Sequence, residues 1–178
     1  MVGLDPTTPD RRGTKNPRDF PTRDLPTAAW RGNLPVMTPI LTLSGTPEPE
    51  ARTIIGDGLN AYNDTITGYA DRMPLTVKVI DPATGAVIGG ISGGTSLGLL
   101  FVDLVFVPDS LRGQDVGSRM MAMAEDEARR RGCRAGVLYT ISFQAPGFYQ
   151  KLGWRVFGEI PCHPPGTARV FLTKNFTD

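Results

Sequence analysis

The chain has 178 residues, 40% of them hydrophobic and 21% charged, enough for one domain with a genuine core and short for two. Nineteen basic against eighteen acidic residues leave a formal charge of +1, which gives no reason to expect nucleic acid or an anionic membrane as partner. No apolar run approaches the length of a membrane span, and Cys133 and Cys162 lack metal-ligand spacing, so a cytoplasmic protein with free thiols and no metal is expected.

Residues 1–36 differ from the rest: prolines and charges alternate, and Leu4, Phe20, Leu25 and Trp30 follow no period. Such a segment buries too little apolar surface to offset its ordering entropy unless it lies on something else. It reads as an irregular arm, with a disordered leader as the alternative, and residues 37–178 as the domain. "MTPILTL" reads as a first strand. "PEPEARTIIGDGLNAYNDTITG" reads as a helical region interrupted by glycines, with Glu48 and Glu50 where a helix N-terminus favours acids. "LTVKVI", the turn "DPATG" and "AVIGGISGG" form a hairpin, whose last glycines mark a strand bulge or a close approach to substrate. "LGLLFVDLVFV" is almost continuously apolar apart from Asp103, which suits a central strand covered on both faces.

A turn, "VPDSLRGQDVGS", leads into a helix whose Val116, Met120, Ala124 and Ala128 form one stripe. Arg129, Arg130 and Arg131 complement its C-terminal end, and Gly132 ends it. "RAGVLYTI" is a further strand. "APGFYQKLG" is a short helix between Pro146 and Gly153. "WRVFGEI" and "ARVFLTK" are closing strands that pair antiparallel. The order is strand, helix, three strands, helix, strand, helix, two strands, an α+β domain.

A strand that feeds a glycine-bearing turn into a helix N-terminus builds an anion site, because the first N–H groups of the helix are unpaired and its dipole favours negative charge. Gly113 and Gly117 admit a bulky diphosphate close to the backbone, and Arg112 adds charge. The turn is neither a P-loop nor a dinucleotide fingerprint. By spacing alone, a tight turn with a helix cap accounts for the same residues.

"VPDSLRGQDVGS" resembles the V-P-x-x-x-R-G-x-G-x-G-S motif of the GCN5-related N-acetyltransferases (GNAT). "TISFQAPGFYQKLGWRVFGEI" is similar to that family's strand, short helix and strand, with its F-Y-x-K-L-G-[FYW] signature at residues 148–154. The likeness covers roughly residues 75–174. It implies a mixed, mainly antiparallel sheet of about six to seven strands flanked by helices, with a V-shaped splay after the fourth strand. It also implies acetyl-CoA as cosubstrate. The pyrophosphate would lie on backbone N–H groups of Arg112, Gly113, Gln114, Asp115, Val116, Gly117 and Ser118. The pantetheine arm would pair with Val105, Phe106 and Val107, while Ser142, Ala145, Phe148 and Tyr149 supply the other wall.

Within that resemblance Tyr149 is the general acid that protonates the coenzyme A sulfur, the alternative being a core aromatic with its hydroxyl at the surface. A backbone N–H near Val105 or Phe106 would meet the carbonyl oxygen. An acid inside an apolar strand is paired or functional, so Asp103 either positions the amine and takes its proton through water or is a structural acid. Asp115 departs from the family, which has glycine there. It is an outward-pointing helix N-cap or a mark of weakened cofactor binding, and the cap is the favoured reading. His163, in "PCHPPG", reads as a solvated loop residue. The implied reaction is acetyl transfer to a small-molecule amine such as an antibiotic or metabolite. A peptide or lysine acceptor, a non-catalytic acyl-CoA-binding module and a homodimer stay open.

Overall fold

The computed structural model describes residues 38–177. The chain divides into two units, Met1–Pro47 and Glu48–Asp178, and the arm expected over residues 1–36 lies outside the described residues. The strand expected from "MTPILTL" is not formed over residues 38–43. Ile40, Leu41 and Leu43 are exposed, Pro39 removes a donor from the run, and among the described residues no strand pairs with it; an isolated extended segment has no ladder to hold it.

The second unit begins with α1 (Pro49–Thr67). Pro49 sits in its first turn, Glu50 meets its N-terminal dipole, and Gly68 closes it in the left-handed conformation with its N–H on Asp64 O. Gly56 and Gly58 do not interrupt it, although each costs about 1 kcal/mol relative to alanine in a helix interior. The hydroxyls of Thr53, Thr65 and Thr67 bond back to the carbonyls four residues earlier. No residue of α1 is buried, and among the described residues no helix is long and apolar enough to cross a membrane.

Six strands follow: β1 (Met73–Ile80), β2 (Val87–Ser96), β3 (Leu99–Phe106), β4 (Ala135–Ile141), β5 (Arg155–Cys162) and β6 (Thr167–Asn175). Their order in the sheet is β1-β2-β3-β4-β6-β5, with β3 and β4 parallel and the other pairs antiparallel. The helix α2 (Val116–Arg130) joins β3 to β4, and α3 (Pro146–Lys151) joins β4 to β5. The fold is therefore the expected mixed sheet, with six strands. Because the first expected strand is missing, the strand that opens the splay is β3.

The β2–β3 turn is Leu97-Gly98, both at positive φ (50° and 71°), the geometry that suits the twist of a two-residue hairpin. A leucine at that angle is strained, and Asp71 offsets the strain by accepting the N–H groups of Leu97 and Gly98 at 2.6 and 3.0 Å. Further along the same hairpin the register slips: Ser92 pairs with Leu104 and Gly93 with Val102, so Asp103 is left unpaired in a bulge. Glycine is needed at this slip, since a Cβ on Gly93 would lie 2.1 Å from Phe101 O. Of the two readings of "GGISGG", the bulge is the one seen.

One face of the sheet carries the core. Ile91, Leu100, Val102, Leu138, Val170 and Leu172 pack with Met120, Met121, Ala124 and Ala128 of α2 and with Trp154. On the opposite face of β3, Leu104 is 69% and Phe106 58% exposed among the described residues. Among the described residues of this unit, α2 and α3 contribute buried residues to the core and α1 contributes none. On the core side Glu125 interrupts the apolar stripe of α2. It is 4% exposed and accepts Trp154 Nε1 at 3.0 Å, Lys174 Nζ at 2.6 Å and an Arg129 guanidinium nitrogen at 3.2 Å. A buried carboxylate is tolerated only with such partners; Lys174 and Trp154 tie α2 to β6 and to the Trp154 turn, while Arg129 pairs with it from within α2.

Candidate active site

β3 and β4 stay paired only from Leu99↔Ala135 to Val102↔Leu138. Beyond that point they diverge, and a cleft of about 810 Å³ opens between them. One wall is the free end of β3, Val105, Phe106 and Val107. The floor is the turn and first turn of α2, and the other wall is Thr140, Phe143, Gln144, Ala145, Phe148 and Tyr149.

The floor is built for an anion. The first hydrogen bond of α2 runs from Arg119 N–H to Asp115 O at 3.1 Å, so the N–H groups of Val116, Gly117 and Ser118 have no partner inside the helix. The turn preceding it is wound by a short 3₁₀ helix, Asp109–Leu111, and by Gly113 at φ 75°, a conformation that costs glycine nothing. Gly117 is packed against the far wall: a Cβ there would stand 3.1 Å from Phe148 Cζ. Arg112 holds Asp109 at 2.9 Å and donates from Nε to Val107 O at 3.3 Å. Both partners of that ion pair are largely exposed, so it is worth about 0–1 kcal/mol and yields readily to a stronger anion.

Asp115 lines the cleft and occupies the N-cap position of α2, yet its side chain makes no capping bond. Its backbone is left-handed, φ 61° and ψ 9°. That corrects the capping expectation and explains the family's glycine: the turn needs positive φ, and aspartate is one of the few other residues that adopt it at modest cost.

Tyr149 lies on α3 with its ring in the core, 7% exposed, edge-on to Phe148 at 5.0 Å. Its hydroxyl has no hydrogen-bond partner among the described residues and is not sealed from the cleft. Burial pushes the phenol above its ordinary value, so it keeps its proton through the neutral range.

Of the residues singled out in the sequence, Val105, Phe106, Val107, Arg112, Gly113, Asp115, Val116, Gly117, Ser118, Ala145, Phe148 and Tyr149 come together around this cleft. Three do not. Gln114 turns away, donating from Nε2 to Ser110 O at 2.7 Å. Ser142 is used in the fold: its N–H donates to Ala168 O and its hydroxyl accepts Ala168 N–H. Asp103 lines a second, shallower depression with Arg72, Thr95 and Phe101 and has no ion-pair or hydrogen-bond partner among the described residues. Leu111, Thr140, Phe143 and Gln144 also line the cleft, and sequence reasoning missed them. A glutamine between a strand end and a helix start is the one such signal that was available. His163 is exposed, as expected.

Fold, cleft and motif agree with the comparison to known proteins: the chain belongs to the GCN5-related N-acetyltransferase family and is an acetyltransferase. Residues 76–156 match the acetyltransferase (GNAT) domain. The chain is 35% identical over 134 residues to the acetyltransferase Atu2258 of Agrobacterium fabrum (strain C58), covering 75% of this chain and 97% of the relative. It is 43% identical over 91 residues to the blasticidin-S acetyltransferase of Streptomyces morookaense, covering 51% and 67%. A crystal structure from Agrobacterium tumefaciens, of a protein assigned as an acetyltransferase, superposes with a TM-score of 0.72 at 34% identity over 77% of this chain and 99% of that one.

Proposed function

We propose that the chain transfers the acetyl group of acetyl-CoA directly to a primary amine of a small molecule, with Tyr149 as the general acid. The observation that carries this reading is a buried phenol whose hydroxyl opens into a cleft floored by unpaired helix N–H groups. Such a floor suits a diphosphate. The free edge of β3 at Val105, Phe106 and Val107 suits an extended arm whose amides need partners once buried.

In this account the amine nitrogen attacks the thioester carbonyl carbon. A backbone N–H at the end of β3 donates to the oxygen as negative charge develops there. The carbon–sulfur bond breaks as Tyr149 Oη gives its proton to the departing sulfur, and the nitrogen loses its own proton to solvent or a base. No covalent enzyme intermediate is needed, because holding both reactants in line supplies much of the rate. Asp103 lines the second depression beside Arg72 and not this cleft, and no step of the transfer is assigned to it. An acceptor of antibiotic or metabolite size is favoured by the similarity to the blasticidin-S acetyltransferase.

The test is a screen of amines with acetyl-CoA, read by thiol release and by the mass of the product. Coenzyme A release that depends on a small amine, with an acetylated product, is expected. No release with any small amine, alongside acetylation of a peptide, would move the acceptor to the peptide class.

A further inference from the structure

Gln144 spends its side-chain oxygen on the fold and leaves its amide nitrogen to the cleft. Ser142 N–H points toward β6, where it meets Ala168 O at 2.8 Å. Backbone groups alternate sides along a strand, so the preceding N–H, on Ile141, points the other way, into the gap that separates β4 from β3. There it donates to Gln144 Oε1 at 3.0 Å, and the hydroxyl of Thr140, a residue only 4% exposed, donates to the same oxygen at 3.0 Å. A backbone N–H can only donate, so the contact to Ile141 identifies the atom at that end of the carboxamide as oxygen and fixes which way the group faces. Both lone pairs of Oε1 are then taken. The amide –NH₂ is left with two hydrogens, no partner among the described residues, and a position on the wall of the cleft.

We infer that Gln144 presents its Nε2–H₂ to an amide carbonyl of the pantetheine arm. This rests on the reading that acetyl-CoA occupies the cleft. An extended arm beside β3 can exchange backbone-like bonds with Val105, Phe106 and Val107 along one edge only. Its other edge faces β4, whose single inward N–H at this level is already consumed on Ile141. Gln144 replaces that donor with one set further into the gap, at a reach the diverging strand has lost. Two fixed bonds to its oxygen hold the carboxamide in one orientation, so little rotamer freedom is lost on binding.

The experiment is calorimetric titration of the wild type, Gln144→Glu and Gln144→Met with coenzyme A, acetyl-CoA and the nucleotide half alone, adenosine bisphosphate. Glutamate keeps an oxygen for Ile141 and Thr140 but has no donor; methionine is neutral and has neither. Both variants should bind coenzyme A and acetyl-CoA about fivefold to tenfold more weakly, the value of one hydrogen bond, and bind adenosine bisphosphate as the wild type does. Unchanged coenzyme A binding overturns the inference. An equal loss of adenosine bisphosphate binding also overturns it, since the disturbance would then lie in the phosphate floor. A loss confined to acetyl-CoA overturns it too, by placing the donor on the thioester carbonyl. A wild type that binds none of the three removes the cosubstrate reading and this inference together, whereas unaffected variants beside a binding wild type remove the inference alone.

Discussion

Replacing Asp115 by glycine isolates the one residue of the turn that departs from its family. In the fold the side chain makes no hydrogen bond while its backbone sits at φ 61°. Glycine therefore loses no contact and relieves a left-handed aspartate, a gain of about 0.5–1 kcal/mol. For a chain of this size that raises Tm by about 1–4 °C. Binding changes through charge. At a separation of about 7 Å a carboxylate would repel a doubly charged diphosphate across water by about 1.2 kcal/mol, which salt with a Debye length of about 8 Å lowers to about 0.5 kcal/mol. Acetyl-CoA should consequently bind Asp115→Gly about two- to threefold more tightly by calorimetry at physiological ionic strength, and about fivefold more tightly at low salt. A hundredfold gain would mean that the carboxylate stands desolvated inside the diphosphate cradle, and a lower Tm would mean that it caps α2; either result refutes this reasoning.

Removing the buried carboxylate with Glu125→Ala strands Lys174 Nζ and Trp154 Nε1, and should cost about 3 kcal/mol in chemical denaturation; a change below 1 kcal/mol would show that these two contacts are not a structural tie. Acid should weaken the fold through two carboxyls. Glu127 is held at about 2, well below the usual range, by Arg130 and then Arg131. For Asp71 desolvation acts upward, but the N–H bonds from Gly98 and Leu97 outweigh it and the carboxyl lies below its ordinary value. A folded pKa below the unfolded one means a contribution that is whole above the unfolded value and lost as pH falls through the folded one. The Tm of the wild type should thus exceed that of Glu127→Gln at pH 6 and the two should converge near pH 2, whereas a gap that widens with acid would reverse the sign. Gly117→Ala places a methyl 3.1 Å from Phe148 Cζ, and Phe148 lines the cleft; acetyl-CoA affinity should fall severalfold with a Tm loss of a few degrees, and unchanged affinity would show that the ring moves aside without narrowing the cleft.

What the sequence discloses here is what local chemistry determines. The stripe of α2, the proline-to-glycine limits of α3 and the glycine-bearing turn are set by neighbours within a few residues, and each stands where its spacing puts it. "MTPILTL" has strand composition, but a strand exists only against another strand, and among the described residues none pairs with residues 38–43. Glu125 looks like an ordinary polar position because its partners, Trp154 and Lys174, lie 29 and 49 residues away. In the cleft, the turn and Tyr149 were legible from motif. The choice between Ser142 and Gln144 was not, because two side chains in one short loop face opposite ways, and only the pairing of β4 with β6 decides which. The same holds for Asp103, whose place in a bulge depends on the slip at Gly93.

The central claim is that a cleft between diverging strands places the Tyr149 hydroxyl against the sulfur of a bound thioester. Its most direct measurement compares wild type with Tyr149→Phe at saturating acetyl-CoA and a good amine acceptor, following thiol release, with acetyl-CoA affinity measured separately by calorimetry. Removing one oxygen from a ring that otherwise stays packed should lower turnover at least tenfold, a floor set beneath the roughly hundredfold at which a positioned acid's contribution usually begins, and leave acetyl-CoA affinity within about twofold. Equal turnover in the two proteins would contradict the account, since the phenol would then take no part in the departure of the thiol.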